Sequence, residues 1–152
     1  MAIPRGTSLS QAQEFVRSKK AWIQKRLAEI RDYEKGQEAF RDALSTIDKA
    51  EAGRKLRARL ASIAKKHGFT YNKVTIRAQR TRWGSCSAKN NISLNVKLVL
   101  LPGELTGYVL LHELVHTRIH NHSKKFWAEL DKYVSDSKAM AKRLRTHDLR
   151  LP

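Results

Sequence analysis

With 152 residues, 41% apolar and 30% charged, the chain can build one modest core and is too apolar to be a disordered tail. Its net charge of +17 draws it toward nucleic acid, nucleotides, acidic proteins or anionic surfaces, or simply gives it a lysine-rich soluble exterior. No apolar run approaches the roughly 20 residues that span a bilayer. Met1-Ala2-Ile3-Pro4-Arg5 lacks the apolar core of a secretory signal, and Cys86, the single cysteine, has no partner for an intrachain disulfide. A cytoplasmic protein without a membrane partner is expected.

Ser8-Leu9-Ser10-Gln11 has capping-box spacing and starts a helix on which Phe15, Val16, Trp22, Ile23, Leu27 and Ile30 recur at helical intervals. Lys19, Lys20, Lys25 and Arg26 fill much of the other face, so this reads as a packing helix that Gly36 ends. Phe40, Leu44 and Ile47 form the stripe of a second helix, which Gly53 bends or restarts. Leu56, Leu60, Ile63 and Ala64 continue the stripe to His67, and Gly68 supplies the C-terminal cap.

From Lys73 the period changes from 3.6 to 2. Val74-Thr75-Ile76-Arg77 and Ile92-Ser93-Leu94-Asn95-Val96 read as strands, with a turn-rich segment from Arg82 to Asn91 between them. The pair is expected to form an antiparallel hairpin. Pro102 and Glu104 then open a helix, a proline suiting the first turn and an acid its positive end.

That helix carries His112-Glu113-Leu114-Val115-His116, which puts two imidazoles four residues apart on one face with a glutamate beside them. A catalytic zinc takes three protein ligands and keeps one position open. His120 lies about 12 Å along a straight helix from His112, too far to share an ion with the other two. His122 can reach back if the helix ends near His120 and Asn121 turns the chain in the left-handed conformation. His112, His116 and His122 are therefore the expected ligands of one zinc ion per chain, and Glu113 the catalytic base. Ser123 caps the next helix, with Phe126, Trp127, Leu130, Tyr133 and Val134 as its apolar stripe. Asp136 or Ser137 starts the last one.

Arg80-x-Arg82-Trp83-Gly84-Ser85-Cys86-Ser87, Asn91-Ile92-Ser93-Leu94-Asn95, His112-Glu113-Leu114-x-His116 and Asn121-His122-Ser123-x-x-Phe126-Trp127 together resemble the YgjP-like metallopeptidase family, related to the SprT-like and other minimal zincins. The resemblance is strong from Arg77 to Val134 and implies a zinc-dependent peptidase with the same three ligands and the same glutamate. It also implies a β-rich segment ahead of the first helix, of which Ile3-Pro4-Arg5-Gly6 is only the end. The expected fold is α+β, a mainly helical minimal zincin with a small antiparallel sheet beside the metal-binding helix. It forms a single domain over 1–152, with N-terminal helices in 1–68, the hairpin in 73–96, metal-binding helices in 102–134, and a C-terminal helix and tail in 136–152.

In a zincin, a strand edge beside the metal helix binds extended peptide, and Ile92 to Val96 is the candidate, lined by Asn91 and Asn95. Arg80 and Arg82 either bind a substrate carboxylate or phosphate, or stack and pair structurally. Cys86 is expected to pack in its turn rather than act as nucleophile or ligand. Tyr133, Arg118 and His120 are candidate transition-state donors that the sequence does not place. Two alternatives to a peptidase remain. One is a metal-dependent nucleotide or phosphoanhydride hydrolase, suggested by the charge and the arginine pair. The other is a non-catalytic nucleic-acid-binding module with a structural metal. Oligomeric state is not legible.

Overall fold

The structure, a computed structural model, describes residues 8–147. The Ile3-Pro4-Arg5-Gly6 start and the end of the C-terminal tail lie outside the described residues. The chain divides after Phe40 into two units.

Helix α1 runs from Leu9 to Ser45, straight through Gly36. One glycine costs a helix only about 1 kcal/mol, which its neighbours outweigh. The break comes instead at Thr46-Ile47-Asp48, where the Asp48 carboxylate accepts the backbone N–H groups of Ala50 and Glu51 at 2.8 and 3.2 Å. Nor does α1 bury its stripe: Phe15 and Trp22 are each 63% exposed, and Ile23, Leu27 and Ile30 are also open. The side chains of Val16 and Leu44 fall outside the described ones.

Helix α2, Lys49–His67, passes unbent through Gly53 and buries Leu56 and Leu60. At Gly53 a Cβ would sit 3.6 Å from Ile76 Cγ1, so the bare backbone lets α2 lie close to the first strand. Gly68 closes the helix at φ +66°, as its left-handed cap requires.

Three strands follow: β1 Val74–Arg77, β2 Gly84–Cys86 and β3 Ile92–Asn95, in the order β1-β3-β2. β1 pairs with β3 in parallel, Val74 opposite Ile92 and Arg77 opposite Asn95. The expected antiparallel hairpin is thus wrong, and the sheet is mixed. Alternating side chains identify strands without giving their direction, and segment 78–91 is long enough for the crossover of about a dozen residues that parallel pairing needs. The true hairpin joins β2 to β3, with Gly84 opposite Leu94 and Asn90 at φ 55° in the turn.

Beyond β3 a 3-10 helix, Val96–Leu100, leads to α3, Gly103–Val115, then α4, Lys124–Leu130, and α5, Ser137–Arg145. α4 stops before Tyr133 and Val134, which lie on the bend between it and α5. Asp136 caps α5 by accepting the Ala139 N–H at 2.9 Å. Leu60 from α2, Ile92 and Leu94 from β3, Leu110 and Leu114 from α3, and Phe126 and Leu130 from α4 meet in one core. The fold is α+β, with the sheet beside α3. Among the described residues no helix is long and apolar enough to cross a membrane.

Candidate metal centre

Helix α3 is apolar nearly all round: Leu105, Tyr108, Val109, Leu110, Leu111, Leu114 and Val115 are buried. A helix of that kind has to sit inside, and the polar residues in its sequence go in with it. His112 lies in its last turn and His116 follows its end. The helix stops at Val115, a turn earlier than His120, and Asn121 is not left-handed: among the described residues other than glycine, only Asn90 and Asp136 have positive φ. The reversal uses side-chain and backbone bonds instead. His116 Nδ1–H donates to the Ile119 carbonyl at 3.0 Å, and Asn121 Oδ1 accepts the Ser123 N–H at 3.2 Å. Ser123 occupies the N-cap of α4 without a side-chain capping bond.

This turn brings three imidazoles together. The Nε2 atoms of His112 and His116 lie 3.2 Å apart, those of His116 and His122 3.2 Å, and those of His122 and His112 3.0 Å. Phe126, fully buried in the first turn of α4, forms the floor, its ring centroid 4.8, 4.4 and 4.8 Å from those of His112, His116 and His122. Burial, with His116 and His122 adding to it, pushes His112 down to about 3. Burial also lowers His116, against the hydrogen bond it donates to the Ile119 carbonyl.

Those two rings are therefore neutral near pH 7. Nδ1–H of His116 is committed to a carbonyl, so its Nε2 carries a lone pair toward the other two rings. Three ring nitrogens facing one another cannot all be satisfied by hydrogen bonds among themselves. Bonds of about 2.0–2.1 Å to a central tetrahedral ion would set nitrogens about 3.3 Å apart, close to the observed triangle. The donor set fits a divalent ion such as zinc, and His120, exposed, is not among the three residues that could hold it.

Glu113 is 5% exposed, and its Oε2 has no hydrogen-bond partner among the described residues. Burial raises it to about 8, opposed by the positive charge of Arg82. Strand β2 crosses directly over it. A Cβ on Gly84 would come within 2.6 Å of Glu113 Oε1, so only glycine fits there without displacing the carboxylate. A cavity of about 420 Å³ opens beside His112, Glu113 and His122. Trp83, Tyr108 and Trp127 line it, together with Ala141, Leu144 and Arg145 of α5.

The remaining candidates separate. Arg82 reaches Glu113 electrostatically, whereas the charge of Arg80 acts on Lys97. Asn91 belongs to the β2–β3 turn, its backbone N–H donating to Ser87 Oγ at 3.2 Å. Asn95 is fully buried; Nδ2 donates to the carbonyls of Gln79 and Arg82 at 2.8 and 2.9 Å, and Oδ1 accepts the Lys97 N–H. It fastens the 79–82 loop and does not face a cleft. β3 is the central strand, so the free edge beside α3 is β2 and not Ile92–Val96. Burial, and secondarily Glu113, raises Cys86 to about 11, leaving it a protonated thiol.

Arg118 donates to Glu129 at 3.0 Å, to the Tyr133 hydroxyl at 3.1 Å and to the Gly68 carbonyl at 2.8 Å. It and Tyr133 tie α2 to α4. Trp83, Gly84, Tyr108 and Arg145 also line the cavity, and the sequence does not mark them as candidates. Trp83-Gly84 could have been noticed as a glycine beside an aromatic within a conspicuous motif, but nothing local marks Arg145.

The YgjP-like metallopeptidase domain model matches residues 31–147. Among solved structures the chain is similar to the metallopeptidase zymogen abylysin of Pyrococcus abyssi, at 27% identity and a TM-score of 0.53, over 60% of this chain and 92% of that one. It is also similar to the metallopeptidase zymogen jannalysin of Methanocaldococcus jannaschii, at 26% identity and a TM-score of 0.50, over 59% of this chain and 91% of that one. No curated protein matches it.

Proposed function

The chain belongs to the YgjP-like metallopeptidase family, and we propose that it hydrolyses peptide bonds with one zinc ion held by His112, His116 and His122 and with Glu113 as general base. The observation that carries this is the triangle of ring nitrogens, 3.0–3.2 Å on a side, with the neighbouring Glu113 contributing a buried carboxylate oxygen that has no partner among the described residues. Zinc there would supply a Lewis acid, lowering the pKa of a water toward about 7 and polarising the carbonyl under attack.

The protein's own groups do the rest. The bond from His116 Nδ1 to the Ile119 carbonyl fixes the tautomer and ring orientation. Burial raises Glu113 to about 8; a dication held by the three histidines would favour its ionised form, and the carboxylate would then accept a proton from the attacking water. Its buried surroundings favour handing that proton on to the leaving nitrogen. Arg82 adds positive charge on the same side. An extended peptide pairing with the free edge of β2 would lie across Gly84, above Glu113.

The phosphoanhydride alternative rests on the net charge of +17 and the Arg80–Arg82 pair, of which Arg82 acts electrostatically on Glu113. The test is metal content of the purified protein, with hydrolysis of casein and of a nucleotide panel by wild type and Glu113→Gln. About one zinc per chain is expected, with peptide cleavage that the variant loses by roughly 10²–10⁴-fold while keeping its metal. Nucleotide cleavage lost in the variant would transfer the same centre to the other reaction. A well-folded protein that takes up no zinc would end the proposal.

A further inference from the structure

The cavity beside the metal centre has a composition that the hydrolytic groups do not use. Beyond His112, His122 and Glu113 its walls are Trp83, Tyr108, Val109, Trp127, Ala141 and Leu144, and one further charge, Arg145, enters from the last turn of α5. Arg145 pairs with no carboxylate among the described residues, while its neighbour Arg143 is taken by Glu104 at 3.1 Å. A guanidinium at the wall of an apolar pocket is a strong and geometrically selective carboxylate receptor, because its paired N–H groups match two oxygens at once. At about 420 Å³ the space holds a whole residue with part of its backbone.

We propose that this cavity is a substrate subsite for a residue bearing a carboxylate, its aliphatic part packed on Trp83, Trp127 and Leu144 and its oxygens bound by Arg145. The inference rests on the peptidase reading. The carboxylate comes either from an acidic side chain or from the C-terminus of a peptide, and the two sources share the receptor chemistry.

Binding tests it apart from turnover. Zinc-loaded Glu113→Gln protein is titrated with matched peptides, Glu against Gln at the residue that enters the cavity and free acid against amide at the C-terminus. Trp83 and Trp127 in the wall give a fluorescence signal. The carboxylate form is expected to bind about tenfold or more tightly. Arg145→Leu should abolish the difference, Arg145→Lys should retain part of it, and Arg145→Glu should turn it in favour of a lysine peptide. Arg145 is exposed on a helix end, so these variants keep the fold, which zinc content and circular dichroism check.

A preference that follows the side chain makes the subsite one for acidic residues within a chain; one that follows the free terminus makes it a receptor for chain ends. Equal affinity for Glu and Gln peptides, no binding of any, or a preference that survives Arg145→Leu overturns the inference. The underlying reading fails separately, when wild type binds acidic peptides selectively and cleaves none.

Discussion

Helices α1 and α3 carry large apolar residues at similar helical intervals and treat them in opposite ways. On α1, Phe15, Trp22, Ile23, Leu27 and Ile30 stand in solvent; on α3, Leu105, Leu110, Leu114 and Val115 are at most 1% exposed. The difference lies in the residues between them. Lysines and arginines interrupt the stripe of α1 at Lys19 and Arg26, so no continuous dry face exists. α3 has almost nothing to keep wet, and its burial takes His112 and Glu113 along at the cost of their solvation. That cost shows as a histidine held near 3 and a glutamate held near 8. The proposed chemistry sits where apolar burial is greatest, and substitutions around α3 should be felt far more than substitutions along α1.

The largest effect on stability should come from the floor of the histidine triangle. Phe126→Ala removes a fully buried ring that touches all three imidazoles and should destabilise the fold by about 3–5 kcal/mol. Denaturant unfolding measures it, and zinc affinity should fall with it. A loss under about 1 kcal/mol would mean that the triangle does not depend on that floor.

Gly84→Ala tests the strand that crosses above. The new Cβ would lie 2.6–2.9 Å from three atoms of Glu113, the nearest to it, which must move. Peptide hydrolysis should drop by about 10–100-fold with zinc content unchanged, since a misplacement near 1 Å costs about that much. If kcat is unaffected, Glu113 is not held at its working position by β2.

These two residues also mark what the sequence reveals and what it hides. The three histidines that could hold a metal follow from spacing, because four residues place His112 and His116 on one helix face and a metal requires a third group from a nearby reversal. The shape of the reversal is not legible: α3 ends at Val115, and the turn is held by the His116–Ile119 and Asn121–Ser123 bonds without a left-handed residue, local contacts that residue propensities do not single out. β1, β3 and the Gly68 cap were legible from local pattern. The parallel pairing of β1 with β3, the short β2, and hence the identity of the free edge were not, because direction is set by connection path and burial. Asn95 looked like a cleft residue because polar side chains on strands usually face water, yet its amide is consumed by two loop carbonyls.

Acid and base should distinguish the buried pair with zinc removed by chelation. His112, lowered from 6.5 to about 3, is neutral folded and protonated unfolded between those values, so its contribution is complete above about 6.5 and lost as pH falls toward 3. Glu113, raised from 4.5 to about 8, is protonated folded and ionised unfolded, so its contribution is complete below about 4.5 and lost as pH rises through 8. From 4.5 to 6.5 the two slopes oppose each other. From 6.5 to 8 only Glu113 acts, and the metal-free protein should weaken by on the order of 1–2 kcal/mol. Glu113→Gln should flatten that decline in denaturant midpoints taken at the two pH values. An unchanged slope would show that Glu113 is not the group responsible.

The smallest effects belong to α1, and their sign is informative. At Gly36 a Cβ would meet nothing within 4 Å, and the helix runs through it. Gly36→Ala should therefore stabilise α1 by about 0.5–1 kcal/mol, through backbone entropy alone. Hydrogen exchange of the amides flanking residue 36 reads this locally, without relying on the unfolding of the rest of the chain. Trp22→Gln, at a position 63% exposed, should change stability by no more than about 0.5 kcal/mol. Slower exchange in the first variant and none of note in the second would keep α1 as a helix held by its own backbone. A loss of 1 kcal/mol or more from either would mean that something covers the stripe in solution, and the contrast with α3 would become one of partner rather than of burial.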